Sequence, residues 1–423
     1  MAASMRRDSP WLALVLLTAI STVGFIDRIV VNVLVEPIKG EFGLSDTQVS
    51  FMGLAFTVLN IGVGLIVARF AERVRRLTLI SAGTLLWSVA TAACGWSASW
   101  VQLLVARMGV GLGEAIGLPG LQSVISDYFA ANRRGLAISV LMLAPPIGAF
   151  VGFVGGGWIA QEFDWRFTFL IAAVPGIALG MLAWMFVAEP PRGRHDAVAD
   201  DGVPPIGDVL RRLFALPSAR NLVIGSALAA MLGFGLNYFF TSLMIRKFEV
   251  GLAEAGLYSG LIASLPAALS VVGSGWLADR LSARGPAAYA LIPAVCLVLG
   301  GPLYVLAITR DTLPALLGLV SIATFLNFGY LGVTFAALQN LMHPRMRATC
   351  SAVLNVVYGL VSGIGPILLG ALSDRMAFAH GPAQGLALAM AIMGAFYVWA
   401  GLHYLLAARH LPRDAAGVAQ ASG

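Results

Sequence analysis

Eleven long stretches of this chain contain no Asp, Glu, Lys or Arg, and these stretches limit the possible folds more than any other feature. Most are longer than the roughly 20 apolar residues that a helix needs to cross about 30 Å of hydrocarbon. One stretch breaks at "GWSASW", after which an apolar run continues to Val124, so twelve transmembrane helices are predicted. The alternation typical of membrane β-barrels is missing. The stretches are 9–26, 47–68, 77–106, 135–161, 167–188, 221–245, 255–278, 285–309, 312–344, 348–373 and 376–408.

Composition supports an all-α membrane protein. The chain is 59% hydrophobic and 11% charged, whereas soluble domains carry roughly a quarter charged residues. The first apolar run follows "MRR" but continues into Asp27 without a cleavage site, so a secretory signal is disfavoured. Cys94, Cys296 and Cys350 lie in apolar stretches on different helices, which favours packing over a disulfide or a metal site.

The distribution of basic residues predicts the orientation. With the N-terminus inside, 19 of the 27 basic residues lie on cytoplasmic segments and 6 on outer ones, and Arg28 and Arg107 lie within the membrane. Basic residues are enriched in cytoplasmic loops. We therefore expect a multi-pass protein of the cell inner membrane with both termini cytoplasmic. Topology explains the net charge of +6, and nucleic acid is not an expected partner.

The predicted helices form two groups of six. Hydrophobicity falls in the segment 189–219, a predicted cytoplasmic linker between bundles at 1–188 and 220–423. Within it, "IGDVLRRLFA" forms either a short amphipathic helix on the membrane surface or a flexible connection.

The two halves also repeat each other. "ARFAERVRR" after the second helix corresponds to "GWLADRLSAR" after the eighth, and "ANRRGLAIS" after the fourth corresponds to "HPRMRATCS" after the tenth. Internal repeats in a polytopic chain are typical of transporters that work by alternating access.

These motifs resemble those of the major facilitator superfamily. The loop pattern G-x-x-x-D-R is clear at Gly275 to Arg280 and degraded at Ala68 to Arg73, while "RMGVGLGEA" and "PPIGAFVGFVGGG" resemble the fourth and fifth helices. A narrower resemblance, to bacterial spinster-like carriers of lysolipids or sphingolipids, rests on "FIDR", "VEPIKGEFGLSDTQ", "RMGVGLGEA" and "VISDYF". The resemblance implies two pseudo-symmetric six-helix bundles of the major facilitator fold.

Four charged residues lie within predicted membrane helices: Asp27, Arg28, Arg107 and Glu114. A charge at bilayer depth costs roughly 2.5–3.5 kcal/mol on insertion scales. By helical rise, Arg28 lies roughly 14 Å, Arg107 roughly 10 Å and Glu114 roughly 21 Å below the outer surface, so one cluster is predicted. Arg107 and Glu114 share a helix face, which we expect Gly111 to leave open.

Two interpretations of this cluster remain. It is a structural salt bridge between helices 1 and 4, or a site for protons and an anion. Buried pairs are poor stabilisers, and arginine keeps its proton whereas a carboxyl group can titrate. We favour the second, with Asp27 and Glu114 as proton-coupling residues and Arg28 and Arg107 as substrate-binding residues. The resemblance to spinster-like carriers implies the same roles, and the constellation also resembles sugar-acid:proton symporters.

Further candidates rest on the resemblance, which implies that helices 1, 4, 7 and 10 face the transport path. Additional substrate-binding candidates in the second half are Asn237, Tyr238, Asn327, Tyr330 and Tyr358, although aromatic residues at helical spacing are also common in packing. The loop motifs predict a cytoplasmic gate, because an acid can cap a helix N-terminus. The gate candidates are Glu72, Arg73, Asp127, Asp279 and Arg280.

The function predicted is proton-coupled transport of an amphipathic anion such as a lysophospholipid or sphingolipid-like molecule, by a monomer in the lipid bilayer. Alternatives are symport of a small organic anion, drug/proton antiport, and a receptor that does not transport. A phosphate loop, H-E-x-x-H and G-x-S-x-G are all missing from the sequence, so a nucleotide-driven pump and an enzyme are disfavoured and no cofactor or metal is expected.

Overall fold

The computed structural model describes residues 9–70, 74–118, 120–192 and 205–420. Regular structure in these ranges is helical, without strands, and twelve segments are long and apolar enough to cross a membrane. The predicted fold class is confirmed. We call these segments spans 1 to 12. The chain divides into two compact units, residues 1–200 with 250–260 and residues 201–249 with 261–423.

The first unit contains spans 1 to 6 and one short helix between spans 1 and 2. Spans 4 and 5 are each made of two consecutive helices. The helices are α1 (Pro10–Val33, span 1), α2 (Val35–Phe42), α3 (Asp46–Phe70, span 2), α4 (Arg76–Gly95, span 3), α5 and α6 (Trp100–Gly117 and Gly120–Tyr128, span 4), α7 and α8 (Ala131–Leu141 and Ala144–Glu162, span 5) and α9 (Trp165–Phe186, span 6).

Spans 7 to 12 follow a short amphipathic helix, and the first turns of span 8 belong to the first unit. The helices are α10 (Ile206–Ala215), α11 (Pro217–Phe248, span 7), α12 (Leu252–Ser282, span 8), α13 (Ala288–Ile308, span 9), α14 and α15 (Leu313–Asn327 and Leu331–Leu341, span 10), a 3₁₀ turn (Pro344–Met346), α16 (Arg347–His380, span 11), and α17 and α18 (Pro382–Ala395 and Tyr397–Gln420, span 12).

Local sequence explains several of these boundaries. Ser9 caps α1, accepting a hydrogen bond from Leu12 N at 3.4 Å, and Pro10 occupies the first position, where its missing N–H costs nothing. Helix α2 is capped at its C-terminus by Gly43, whose φ of 61° lies in the left-handed region that favours glycine. In span 5, prolines in the first turn of α8 separate it from α7.

Small residues bring spans 3 and 4 into close contact. A Cβ at Gly83 would lie 2.6 Å from Gly117 N, and one at Gly113 would lie 2.5 Å from Trp87 N. Glycine at these positions lets the two backbones approach, as is common between membrane helices. Span 3 also contacts span 1, where Thr91 donates a hydrogen bond to Asp27.

The segment "IGDVLRRLFA" is helical, as one of the two alternatives for it predicted. Helix α10 buries Val209 and Leu213, which are four residues apart and share a face. The cysteines are free thiols, and the described residues include no group of three or more His, Cys, Asp or Glu that could hold a metal.

Candidate functional site

The first unit brings Arg28 and Glu114 into direct contact. Arg28 Nη2 lies 2.5 Å from Glu114 Oε2, and Arg28 Nε donates to the same oxygen at 2.7 Å. The Arg28 side chain is 34% exposed, whereas that of Glu114 is 0% exposed. The other carboxylate oxygen, Oε1, is buried without a hydrogen-bond partner among the described residues. The ion pair thus joins an accessible cation to a fully buried acid.

Asp27 is buried beside this pair but is bound differently. Its Oδ2 accepts a hydrogen bond from Thr91 Oγ1 at 3.1 Å, and its Oδ1 has no hydrogen-bond partner within the described part of the chain. Arg107 donates from Nη1 to the backbone oxygen of Asp27 at 3.4 Å, while its buried Nε lacks a partner of that kind. Asp27 and Arg107 therefore lie together with polar atoms still able to bind.

Aromatic rings surround the two guanidinium groups. Arg28 Cζ lies 5.3 Å from the centroid of Phe25 and 5.2 Å from that of Phe56, and Arg107 Cζ lies 5.6 Å from the Phe56 centroid. Rings at such distances attract cations through their quadrupole. Phe56, on span 2, therefore contacts both arginines.

One expectation about this cluster is wrong. Gly111 does not leave the face between Arg107 and Glu114 open, because the backbone of Phe56 packs directly against it. Asn60 Nδ2 also donates to Gly111 O at 3.3 Å. Spans 2 and 4 are in contact at this glycine, and the missing Cβ serves helix packing.

The sequence-based hypothesis did not include Thr91, Phe25 and Phe56. Thr91 and Phe56 are uncharged residues on other spans, and only the helix rotations bring them to the cluster. Phe25 carried a usable signal, since it precedes Arg28 by three residues and so shares its helix face.

In the second unit most of the predicted substrate-binding residues are buried. Tyr238, Asn327, Tyr330 and Tyr358 are each less than 9% exposed, and Asn237 is half-buried. Asn327 Oδ1 and Tyr358 Oη are buried without hydrogen-bond partners among the described residues. Of the five predicted substrate-binding residues in this unit, Asn327 and Tyr358 thus have a buried polar atom free to bind a substrate.

The structure brings Tyr330 and Tyr358 into a larger group of phenols. Tyr330 is close enough to Tyr358, Tyr397 and Tyr404 to interact with them electrostatically. Tyr404 Oη is hydrogen-bonded to Thr334 Oγ1. Tyr397 and Tyr404, on span 12, were not among the predicted residues. Their buried position in a tyrosine cluster needed the packing of span 12.

The predicted gate residues lie in different environments. Glu72 and Arg73 fall outside the described residues. Asp279 is exposed and accepts a hydrogen bond from Tyr289 Oη at 2.7 Å, and the Arg280 guanidinium lies 5.4 Å from the Trp276 ring centroid.

Asp127 belongs to a buried ion triad. Arg76 Nη1 lies 2.5 Å from Asp127 Oδ2, and Arg76 Nε lies 2.9 Å from Glu189 Oε1. Glu189 Oε2 also accepts from Leu77 N at 2.8 Å, and Arg76 Nη1 donates to Ser123 Oγ at 2.8 Å. The triad joins the start of span 3 to the end of span 4 and the residues after span 6. Arg76 and Glu189 were not predicted as site residues.

Twelve spans in two helical units, with internal sequence repeats and an intramembrane ion pair, define the chain as a polytopic carrier. The sequence matches the model of the Major Facilitator Superfamily over residues 16–366. The chain belongs to that superfamily.

Individual relatives agree with this assignment. An MFS-type efflux pump of Mycolicibacterium smegmatis is 29% identical over 95% of this chain and 93% of its own. Protein spinster homolog 1 of Homo sapiens is 25% identical over 86% of this chain and 73% of its own. The crystal structure of a bacterial homolog to the human lysosomal transporter spinster, inward-facing and unoccupied, superposes with a TM-score of 0.87 at 29% identity, covering 96% of this chain and 98% of that one.

These comparisons confirm the predicted superfamily and the resemblance to spinster proteins. The relatives and structural neighbours are transporters and not enzymes. The protein is a multi-pass membrane protein and a secondary transporter that works by alternating access.

Proposed function

We propose that this transporter couples the movement of an amphipathic anion, such as a lysophospholipid or sphingolipid-like molecule, to the movement of protons. The observation that carries the proposal is the Arg28–Glu114 pair, in which a partly exposed cation is bound to a fully buried acid. An anion arriving at this pair meets the guanidinium before it meets the carboxylate.

Competition for Arg28 provides the coupling. Guanidinium groups bind carboxylates and phosphates through the same fork of N–H donors. An anionic headgroup that takes Arg28 leaves the Glu114 carboxylate buried without its cation, and an isolated buried charge is expensive. Uptake of a proton removes that charge. Arg28 cannot supply the proton, since arginine stays protonated in proteins.

Asp27 is the second proton-coupling residue of the proposal. Its carboxyl group has one hydrogen bond, from Thr91, and no ion pair within 4.0 Å to a described residue. The unpartnered Oδ1 can accept a proton without breaking an existing contact. Arg107, hydrogen-bonded to the backbone of Asp27, provides the fixed positive charge and a second contact for the substrate.

The aromatic residues favour an amphiphile over a small polar anion. Phe25 and Phe56 flank Arg28 and are half-buried, so a headgroup at this arginine is next to apolar surface. Substrate contacts are also proposed for Asn237, Tyr238, Asn327, Tyr330 and Tyr358. The similarity to spinster homologues supports a lipid-like cargo, and a small organic anion remains the second candidate because the ionic cluster suits either.

The proposal also covers the location, orientation and gating of the protein. We place the protein in the inner membrane as a monomer, with both termini in the cytoplasm. Glu72, Arg73, Asp127, Asp279 and Arg280 act in closing the cytoplasmic side.

Reconstitution into liposomes with a trapped pH indicator tests the coupling. Lysophospholipids, sugar acids and cationic drugs are added in turn, and proton flux is measured for the wild type, Glu114→Gln and Asp27→Asn. We expect lysophospholipid-dependent proton flux in the wild type and at least a tenfold loss in both variants. Asp311→Asn is the matched control, because Asp311 is 96% exposed and its ion pair with Lys247 is long, at 3.9 Å.

A binding measurement separates coupling from folding. Glu114→Gln removes the carboxylate that competes for Arg28, so the variant should bind the lysophospholipid at least as tightly as the wild type while losing proton flux. Unchanged proton flux in Glu114→Gln contradicts the proposed role of Glu114. Flux driven by sugar acids alone would favour the second candidate.

A further inference from the structure

The second unit contains an open cavity of about 590 Å³ that is lined by none of the proposed substrate-binding, proton-coupling or gate residues. It lies between helix α10, the 3₁₀ turn before span 11 and the end of span 12. Its volume falls in the usual range of small-molecule sites, roughly 300–1,000 Å³. The residues that line it include Asp208, Arg211, Arg212, Met346, Arg413 and Asp414.

The cavity presents guanidinium groups that are available for binding. Arg211 and Arg413 are exposed and form no ion pair or side-chain hydrogen bond with a described residue, and Arg212 Nε donates to Leu341 O at 3.2 Å. Asp414 is already engaged, since its Oδ2 accepts from Ser218 N at 3.0 Å and from Ser218 Oγ at 2.5 Å. Asp208 is the other carboxylate of the lining, and the three arginines outnumber it, so the cavity favours anions.

Helix α10 also carries an apolar surface, which does not line the cavity but reaches Arg211 at Phe214, three residues further along the helix. Val209 and Leu213 are buried, whereas Ile206 and Phe214 are 57% and 62% exposed. At 100° per residue these four side chains form one arc of the helix, with Arg211 and Arg212 outside it. Amphipathic helices lie in the membrane interface with exposed apolar side chains against acyl chains, and in α10 the apolar side chains not packed on the protein are Ile206 and Phe214.

We propose that this cavity binds the phosphodiester headgroup of an anionic phospholipid. Arg211, Arg212 and Arg413 contact the phosphate, and Ile206 and Phe214 lie among the first carbons of the acyl chains. Guanidinium groups bind phosphate with two parallel hydrogen bonds, and basic pockets beside membrane helices bind anionic lipid headgroups. Free phosphate offers the same kind of anionic oxygens, but it gives no role to the exposed Phe214.

Titration of the full-length protein in neutral detergent tests the site. Fluorescent phosphatidylglycerol is the probe, phosphatidylcholine is the neutral lipid, and sodium phosphate is the competitor. Replacing both Arg211 and Arg413 by Gln should weaken phosphatidylglycerol binding about 30-fold, given the usual contribution of a basic residue near an anionic surface. Arg284→Gln is the matched control, because Arg284 is an exposed arginine of the same unit that does not line the cavity.

Phe214→Ser distinguishes lipid from free phosphate. We expect several-fold weaker binding of phosphatidylglycerol by Phe214→Ser and no saturable binding of phosphatidylcholine by the wild type. Wild-type affinity in the double arginine variant would overturn the site. Complete displacement by millimolar phosphate, with unchanged lipid binding by Phe214→Ser, would overturn the lipid assignment. None of these variants touches Arg28 or Glu114, so the result is independent of the proposed coupling.

Discussion

At the scale of single residues, Arg28 and Glu114 are joined through one carboxylate oxygen, while the other has no hydrogen-bond partner in the described parts of the chain. A pair held only for stability is expected to satisfy its buried atoms, because each unsatisfied polar group costs roughly 1–3 kcal/mol. Buried ion pairs in general add little to stability. The unsatisfied Oε1 therefore supports a role in which the carboxyl group changes its protonation.

Gly111 provides a test of how tightly this cluster is packed. A Cβ added here would lie closer than 3.0 Å to the Phe56 carbonyl oxygen, which belongs to rigid backbone. Gly111→Ala must therefore separate spans 2 and 4, and overpacking of this kind costs about 1–3 kcal/mol. We expect a lower melting temperature in detergent, together with weaker substrate binding, because Phe56 contacts both Arg28 and Arg107.

Gly62→Ala is the control for this change. Gly62 lies on the same span as Phe56, and an added Cβ would have no heavy atom within 4 Å. Its melting temperature should stay close to that of the wild type. Equal stability of the two alanine variants would contradict the contact between Phe56 and Gly111.

The charged residues of the cluster could be predicted from the sequence, because a charge inside an apolar run is conspicuous. Their pairing could be predicted in part, since helical rise places Arg28 between Arg107 and Glu114 in depth. Thr91 and Phe56 could not be predicted. Their place in the cluster depends on how spans 2 and 3 are rotated. Ser81, Thr84, Ser88 and Thr91 form a polar stripe on one face of span 3, but the stripe does not tell which other span it faces.

At the scale of elements, an ion pair and a hydrogen bond connect the short helix α2 to the start of span 6. Arg166 Nη2 lies 2.6 Å from Glu41 Oε1, and Trp165 Nε1 donates to Glu41 Oε2 at 2.6 Å. The Arg166 guanidinium also lies 4.2 Å from the Trp165 ring centroid. Glu41 thus connects two helices that are far apart in sequence.

This connection predicts a pH dependence. The hydrogen bonds from Arg166 hold the pKa of Glu41 below its ordinary value of 4.5. Because the folded pKa is lowered, the stabilisation is present above pH 4.5 and is lost as the pH falls through the folded pKa. The wild type should therefore exceed Glu41→Gln in stability at neutral pH, by at most about 1 kcal/mol for a pair this exposed.

Melting temperatures of both proteins, measured in detergent from neutral pH to about pH 3, check this prediction. The difference between them should disappear at the acidic end. Glu162→Gln is the control, because Glu162 is exposed and forms no ion pair with a described residue. A difference that grows on acidification would contradict the assigned direction.

The ion triad shows what the sequence leaves open at this scale. Arg76 contributed to the charge count that predicts orientation, and Glu189 is the first residue of the predicted linker. Arg76 contacts Asp127, 51 residues away in the sequence, and Glu189, 113 residues away. Sequence patterns detect neighbours three or four residues apart on one helix, and contacts between the ends of different spans need the fold.

At the scale of the whole molecule, the number of spans could be predicted because a membrane helix satisfies its own backbone hydrogen bonds. Hydropathy alone therefore finds each span. The interruptions in spans 4, 5, 10 and 12 were not predicted. A short break of this kind leaves the mean hydropathy of a span almost unchanged, so the charge-free stretches of the sequence do not reveal it.

The distribution of charge predicts the orientation of the chain in the membrane. Of the 27 basic residues, 19 lie on the segments assigned to the cytoplasm, and such a bias decides topology during insertion. In a bacterial host, alkaline phosphatase fused after Asp311 should be at least tenfold more active than the same enzyme fused after Arg284 or after the last residue. Fluorescent protein fusions at these three sites should give the reverse pattern, because that reporter folds in the cytoplasm.

The two fusions at Arg284 and Asp311 differ by one span, Ala288–Ile308, so each controls for the expression of the other. Phosphatase activity at the C-terminus with none at Asp311 would reverse the assignment and would place the three arginines of the α10 cavity on the outer face.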